Sequence, residues 1–371
     1  MSDEAFGTER PRGPRGGGMS EAFGSVFTVG IEEELLLVDP DRGHALAPVA
    51  HELLARMTVA DGAAGHEAFA AELELRSPPC ATVAEARAAL GETRAAARAA
   101  GACLLGAGLH PTSAFGEGTA LVPLPRYARV EDDMRGLIKR TPECALHVHI
   151  GVPDRDTALR VHNGLRRHLP LLGALAANSP WWFGRDSGLA SARYAVVQAY
   201  PGRGVPRAFA GWDEYEAACA SAVRAGAADD YTHLWWDVRP HPRLGTVELR
   251  EMDAQTRLED VAALAALVQC LARDAAERAA PPAATPEALG WSAFAAARDG
   301  MEARLLDEDG SLRPARELAR AVLARIAPAA RELGCAEQLE PLAAWEGGAA
   351  RQRAAVAAGA APAAFLAAAT D

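Results

Sequence analysis

The chain has no two cysteines at CxxC spacing; its six thiols stand far apart at positions 80, 103, 144, 219, 270 and 335. That scatter fits reduced, mostly buried thiols in a cytoplasmic protein better than a disulfide framework or a zinc site. Long apolar runs are also missing. The longest in the later chain, Val261 to Ala272, is too short to cross a bilayer and reads as a buried helix, so no membrane partner is expected. The first residues are polar and rich in Gly, Pro and Arg, without the apolar stretch of a signal peptide. Positive charge is in deficit: 38 Lys and Arg against 49 Asp and Glu give a formal net charge of −11. A nucleic-acid partner gripped through its phosphates is therefore not expected, although a local group of arginines with Mg²⁺ can still hold ATP. Walker A, GxGxxG and GxSxG patterns are absent, which leaves P-loop, dinucleotide-binding and serine-hydrolase readings without support.

What is present is an ordinary globular composition, 50% hydrophobic and 23% charged over 371 residues. Residues 1–24 carry Pro11-Arg-Gly-Pro-Arg-Gly-Gly-Gly18 and no hydrophobic periodicity, as in a flexible leader; Met19 offers an alternative start. Residues 25–371 read as one unit, with 257–371 mostly helical. Strand-like segments come first and helices later, which predicts an α+β fold with an antiparallel sheet. Thr82, followed three residues on by Glu85, predicts a capped helix reaching Ala100.

Four strand-like segments carry polar groups on alternate positions. In Phe27-Thr-Val-Gly-Ile-Glu-Glu-Glu-Leu-Leu-Leu-Val38, period-two geometry sends Glu32 and Glu34 to one face and Glu33 to the other. Glu72 and Glu74 share a face in Glu72-Leu-Glu-Leu-Arg76, His147 and His149 in Cys144-Ala-Leu-His-Val-His-Ile150, and Glu248 and Arg250 in Thr246-Val-Glu-Leu-Arg-Glu-Met-Asp253. Paired carboxylates resist burial unless a cation neutralises them, and hard oxygen ligands suit Mg²⁺. Each pair also has a plainer reading. The glutamates fit a solvated edge strand, the histidines a satisfied core, and Glu248 with Arg250 a surface ion pair. An HxH pair is equally at home in a metal-dependent hydrolase, but no further cluster completes a tetrahedral set. The aromatic run Trp181-Trp182-Phe183 suits packing more than stacking on a base. Four such faces in one chain point to a polar, functional side of the sheet.

In this order the motifs resemble the glutamate–cysteine ligase type 2 family, ATP-dependent carboxylate–amine ligases of the glutamine-synthetase-like superfamily. The matching pieces are Gly30-Ile-Glu-Glu-Glu-Leu35, Glu72-Leu-Glu-Leu-Arg-Ser-Pro-Pro79, His147-Val-His-Ile-Gly151, Ala177-Asn-Ser-Pro180 with Gly188-Leu-Ala-Ser-Ala-Arg193, and Gly245-Thr-Val-Glu-Leu-Arg250. The resemblance implies a curved, mainly antiparallel sheet with helices on one side and a concave face holding Mg²⁺, for which Mn²⁺ could substitute. It implies ATP as co-substrate, L-glutamate and L-cysteine joined through an acyl phosphate, and small-molecule partners only, with a homodimer as an open option. The activity could be weak, or directed to another amine. It further implies metal ligands at Glu32, Glu34, Glu74, His147 and Glu248, with Glu72 and then Glu67 as weaker candidates. His149, Arg250 and Arg239 would meet ATP, Arg250 and Glu34 would act in catalysis, and Arg193 with Asn178 would bind the amino-acid substrate. A non-catalytic nucleotide- or amino-acid-binding protein on the same fold is the alternative of another class.

Overall fold

Strand β1, Val29–Asp39, runs through the middle of the molecule and touches four other strands. Short β2 (Ala45–Leu46) and β5 (Leu104–Leu105) pair with its far end. The rest of the sheet comprises β3 (Ala64–His66), β4 (Glu72–Arg76), β6 (Ala145–Gly151), β9 (Val238–His241) and β10 (Thr246–Asp253). A separate hairpin joins β7 (Trp181–Trp182) to β8 (Arg185–Asp186). The main order is β3-β4-β1-β6-β10-β9, and every pairing is antiparallel. This computed structural model describes residues 22–226, 230–278 and 284–371. Most of the expected leader lies outside them. Ala22 and Gly24, which the leader was expected to include, are bonded to the body through Pro242 and Val152 carbonyls at 2.9 and 3.1 Å.

Thirteen α-helices lie among the described residues, and the long ones cover a single face of the sheet. Odd-numbered β1 residues Ile31, Leu35 and Leu37 join Leu73, Leu75, Leu146, Val148, Val247 and Leu249 in the main core. Helices α2 (Val83–Ala99), α4 (Arg155–Leu165) and α8 (Leu258–Glu277) complete that core, α8 through the run Val261–Ala272. Alternation is the cause: one face of each strand is apolar and is removed from water by helices, which leaves the other face for chemistry. Helix α2 begins as expected, with Thr82 Oγ accepting from Glu85 N–H and Glu85 returning the bond to Thr82 N–H at 3.0 Å. The helix expected to run from Asp154 towards Ala177 is divided. A 3₁₀ turn at Arg166–His168 separates α4 from α5 (Leu169–Ala176), because Pro170 has no N–H to continue the ladder.

One irregularity matters for the site. Between β6 and β10 the register shifts, with Leu249 opposite Val148 but Met252 opposite Leu146. The extra residue is a β-bulge, and it reverses which residues of β10 face the core. Met252 thus packs inward in line with Leu249, and Asp253 turns to the polar face.

Candidate active site

Residues directly opposite in an antiparallel ladder share a face, so the register alone assembles the site. Glu34 lies opposite Glu74, Glu32 opposite His147, His149 opposite Glu248, and Glu248 opposite Arg239. All four polar strand pairs read from the sequence therefore meet on one side of one sheet. Glu33, opposite Leu75 and Leu146, points to the helices as alternation required.

Three of these residues converge most tightly. One ligand atom each from Glu32, His149 and Glu248 lies within 4.8 Å of the others. His149 Nε2 stands 3.6 Å from Glu32 Oε2 and 3.8 Å from Glu248 Oε1. Its other nitrogen, Nδ1, is 3.1 Å from Thr246 Oγ, so the ring is oriented from behind. Nε2 is buried and has no hydrogen-bond partner among the described residues. An imidazole nitrogen aimed between two carboxylates, with its ring held by a hydroxyl, fits a divalent cation. The resemblance gave the metal to His147 and phosphate to His149, whereas the tightest group contains His149. His147 lies one step along β6, with Nδ1 3.5 Å from Glu32 and Nε2 3.8 Å from Glu34.

The face is electrically divided. On the β1–β4 side stand Glu34, Glu67, Glu72 and Glu74, and burial pushes all four carboxyls upward, with mutual repulsion adding to it. Glu74 reaches about 8. On the β9–β10 side stand Arg239, Arg250, His149 and Glu248. Burial would raise Glu248 too, but Arg239 and Arg250 outweigh it and hold its carboxyl well below the usual range. Burial likewise opposes ionisation of Glu32, and His149 and His147 overcome it. His147 itself is driven down to about 3 by burial and by Arg250. A row of buried acids that repel one another calls for cations, and the arginines beside it suit anions.

Side-chain contacts redistribute several expected roles. Arg250 bonds Glu248 and keeps some exposure, in keeping with a group free to reach a ligand. Arg239 is buried. Its Nε donates to Glu248 at 2.7 Å and its Nη1 to the carbonyls of Thr232 and Leu234, so it braces Glu248. Arg193 is 2% exposed, with Nε on Glu143 at 2.6 Å and Nη1 on the carbonyl of Glu251 at 3.0 Å. Asn178 is also shut in. Its side-chain nitrogen donates to the carbonyls of Gly106 and Ala254, and its oxygen accepts from Gln352 at 2.8 Å. Asn178 thus supports the wall of the site and offers no free polar atom to a substrate. Glu72 lies opposite Leu36, fully buried, with Cys144 Sγ 3.5 Å away, deeper than the three converging residues.

Two residues went unread in the sequence. Asp253 accepts from Asn178 N–H at 2.9 Å, Ser179 Oγ at 2.7 Å and Ser191 Oγ at 2.9 Å, tying down both ends of the loop that carries β7 and β8. Glu143 anchors Arg193. Asp253 faces this way only because of the bulge, which strict alternation does not anticipate, and Glu143 lies outside any strand. The aromatic loop packs as expected: Trp182 stacks on Phe183 with centroids 5.0 Å apart and lies against Leu109, Ala192 and Val196.

The family model described as glutamate–cysteine ligase family 2 matches residues 28–361. A protein of Rubrobacter xylanophilus, named "Putative glutamate--cysteine ligase 2-3", is 44% identical over 331 residues, covering 87% of this chain and 90% of its own. A "Glutamate--cysteine ligase" of Halobacterium salinarum is 39% identical over 268 residues, 70% of this chain and 74% of its own. Among solved structures, the glutamate–cysteine ligase of Francisella tularensis in complex with AMP superposes with a TM-score of 0.68 at 14% identity, covering 94% of this chain and 88% of that one. A bifunctional glutathione synthetase from Pasteurella multocida gives 0.65 at 14%, over 92% and 52%. At that identity the superpositions speak for the fold, a mixed helix and antiparallel-sheet architecture. No helix among the described residues is long and apolar enough to cross a membrane. The chain belongs to the glutamate–cysteine ligase family 2, and it is a ligase that forms carbon–nitrogen bonds.

Proposed function

We propose that the polar face joins L-glutamate to an amine, with L-cysteine as the first acceptor to test, at the expense of ATP and with Mg²⁺. The observation that carries this reading is the convergence of Glu32, His149 and Glu248 beside Arg250. Mg²⁺ held by Glu32, His149 and Glu248, and by Glu34 with Glu74 further along the sheet, would neutralise the triphosphate oxygens. Arg250, on the same strand and face as Glu248, suits the phosphoryl group in transit, where charge spreads over three oxygens. The donor carboxylate attacks the terminal phosphorus and ADP leaves. The amine then attacks the acyl carbon, phosphate departs, and the amine's proton is lost to yield the amide. Arg239 keeps Glu248 ionised and in place throughout. The loop tied by Asp253 would help shelter the acyl phosphate from water.

An ADP-release assay across pairs of amino acids and amines, with product masses measured, tests the reading. Release that needs both an amino-acid carboxylate and an amine, with a product of glutamate plus cysteine minus water, is the expected result. Turnover without nucleotide would point instead to the hydrolase reading of His147 and His149, and failure to bind Mg·ATP would revive the non-catalytic one. A reduced, cytoplasmic setting suits a cysteine substrate.

A further inference from the structure

His241 ends β9 directly opposite Thr246, the residue whose hydroxyl orients His149. Its ring stands edge-on to His149 with centroids 5.9 Å apart, so a second imidazole borders the arginine-rich side of the site. The contacts behind it define its hydrogen. Arg243 N–H donates to the Tyr231 phenol oxygen at 3.2 Å, and that oxygen lies 3.3 Å from His241 Nδ1. With its oxygen already accepting from the backbone, the phenol has its own hydrogen available for Nδ1, and in that arrangement Nδ1 is the acceptor. A neutral imidazole that accepts at Nδ1 carries its hydrogen on Nε2. Tyr231 is itself buried and packed edge-on against the His241 ring at 5.4 Å, which limits rotation. Nδ1 is the only His241 ring atom hydrogen-bonded among the described residues.

From this arrangement we propose that His241 donates its Nε2 hydrogen to a phosphate oxygen of the nucleotide, beyond the reach of Arg250 and on the Arg239 side of Glu248. The inference rests on the reading of this face as an ATP site. The carboxylates crowd β1 and β4, whereas Arg239, Arg250, His149 and His241 crowd β9, β10 and the adjoining part of β6, so an anionic chain of phosphates is best accommodated at that end. A neutral donor there holds a phosphate without competing for the cations the carboxylates require.

Calorimetric titration of the full-length chain with Mg·ATP, and separately with Mg·tripolyphosphate, tests the assignment. His241→Phe should weaken both ligands by roughly tenfold, the loss of one hydrogen bond to a charged group. His241→Gln, whose amide can still donate, should recover most of that loss. Tyr231→Phe should weaken both by a smaller factor, about threefold, because the tautomer is no longer imposed. Unchanged binding in His241→Phe would overturn the inference. So would a loss confined to Mg·ATP, which would mark a contact to the base. Equal losses in the Phe and Gln variants would also overturn it, as the sign of a packing role. A wild-type chain that binds neither ligand would defeat the ATP-site reading itself, and the inference with it.

Discussion

Arg94 and Glu33 form a fully buried bidentate ion pair behind the active sheet, with Nε–Oε1 at 2.8 Å and Nη2–Oε2 at 2.7 Å. The pair binds helix α2 to β1 directly beneath Glu32 and Glu34. Because Glu33 faces away from Glu32 and Glu34, Glu33→Gln is expected to be the mildest of the three glutamate substitutions for turnover. For stability the order reverses, because the substitution removes the buried bidentate partner of Arg94 and leaves only the half-exposed Asp371 carboxylate, 3.4 Å away, as counter-ion, and breaking a buried pair costs about 3–5 kcal/mol. Glutamine keeps one acceptor, so the low end, about 3 kcal/mol, is expected in urea unfolding, with kcat little changed where the variant is folded. Unaltered stability would show that the pair contributes nothing net.

The residues on the opposite face should behave the other way. Glu32→Gln, Glu34→Gln and Glu248→Gln each remove a candidate metal ligand and should lower ADP release by at least about 100-fold. The Mg²⁺ concentration for half-maximal rate should rise in the same variants. Robust turnover in Glu34→Gln or Glu248→Gln would refute their assignment as metal ligands.

Arg250→Lys separates charge from geometry. Lysine keeps the cation but loses the planar fork, so kcat should fall by about 100-fold while the KM for the amino acid stays near its wild-type value. Glu248 retains Arg239, so the fold should be preserved. A fall in affinity with unchanged kcat would move Arg250 from phosphoryl transfer to ground-state binding.

Asp253→Ala removes the acceptor that serves Asn178, Ser179 and Ser191 together. With buried donors left unmet, a loss of about 2–4 kcal/mol is expected, together with a raised KM for the carboxylate substrate as the Arg193 helix loosens. Asp253→Asn, which keeps one oxygen, should lie between. Unfolding curves and steady-state kinetics on both variants check this.

Acid sensitivity should come in part from two histidines far from the site. Burial holds His162 and His168 down to about 3, against an ordinary value near 6.5. A base depressed in the folded state binds its proton first in the unfolded chain. Its contribution is therefore complete above about pH 6.5 and is lost as pH falls towards 3. Each should add a slope of ~1.4 kcal/mol per pH unit within that window, and His162→Gln or His168→Gln should flatten the stability profile there. An equal slope in wild type and variants would rule the histidines out.

Much of the site was legible because it is written in period two. Glu32, Glu34, Glu74, His147, His149 and Glu248 lie in unbroken strand segments, where parity alone sorts side chains to faces. Legibility ended where the backbone leaves that rule. The bulge that turns Asp253 to the polar face, the loop that brings Glu143 to Arg193, and the closure of Asn178 by Gln352 all depend on contacts between segments remote in sequence.

By itself, then, the sequence determined which residues share a face, since alternation is a local property of extended backbone. It also determined the family, because the ordered motifs are specific as a set. The tertiary structure decided how neighbouring strands are registered, and with that which histidine joins Glu32 and Glu248. It decided as well that Arg193 and Arg239 are each anchored to a carboxylate and that Asn178 is closed off by Gln352, because whether a polar atom is free depends on everything packed around it. For Glu33, parity set the direction, and only the arrival of Arg94 from helix α2 made that direction matter for stability.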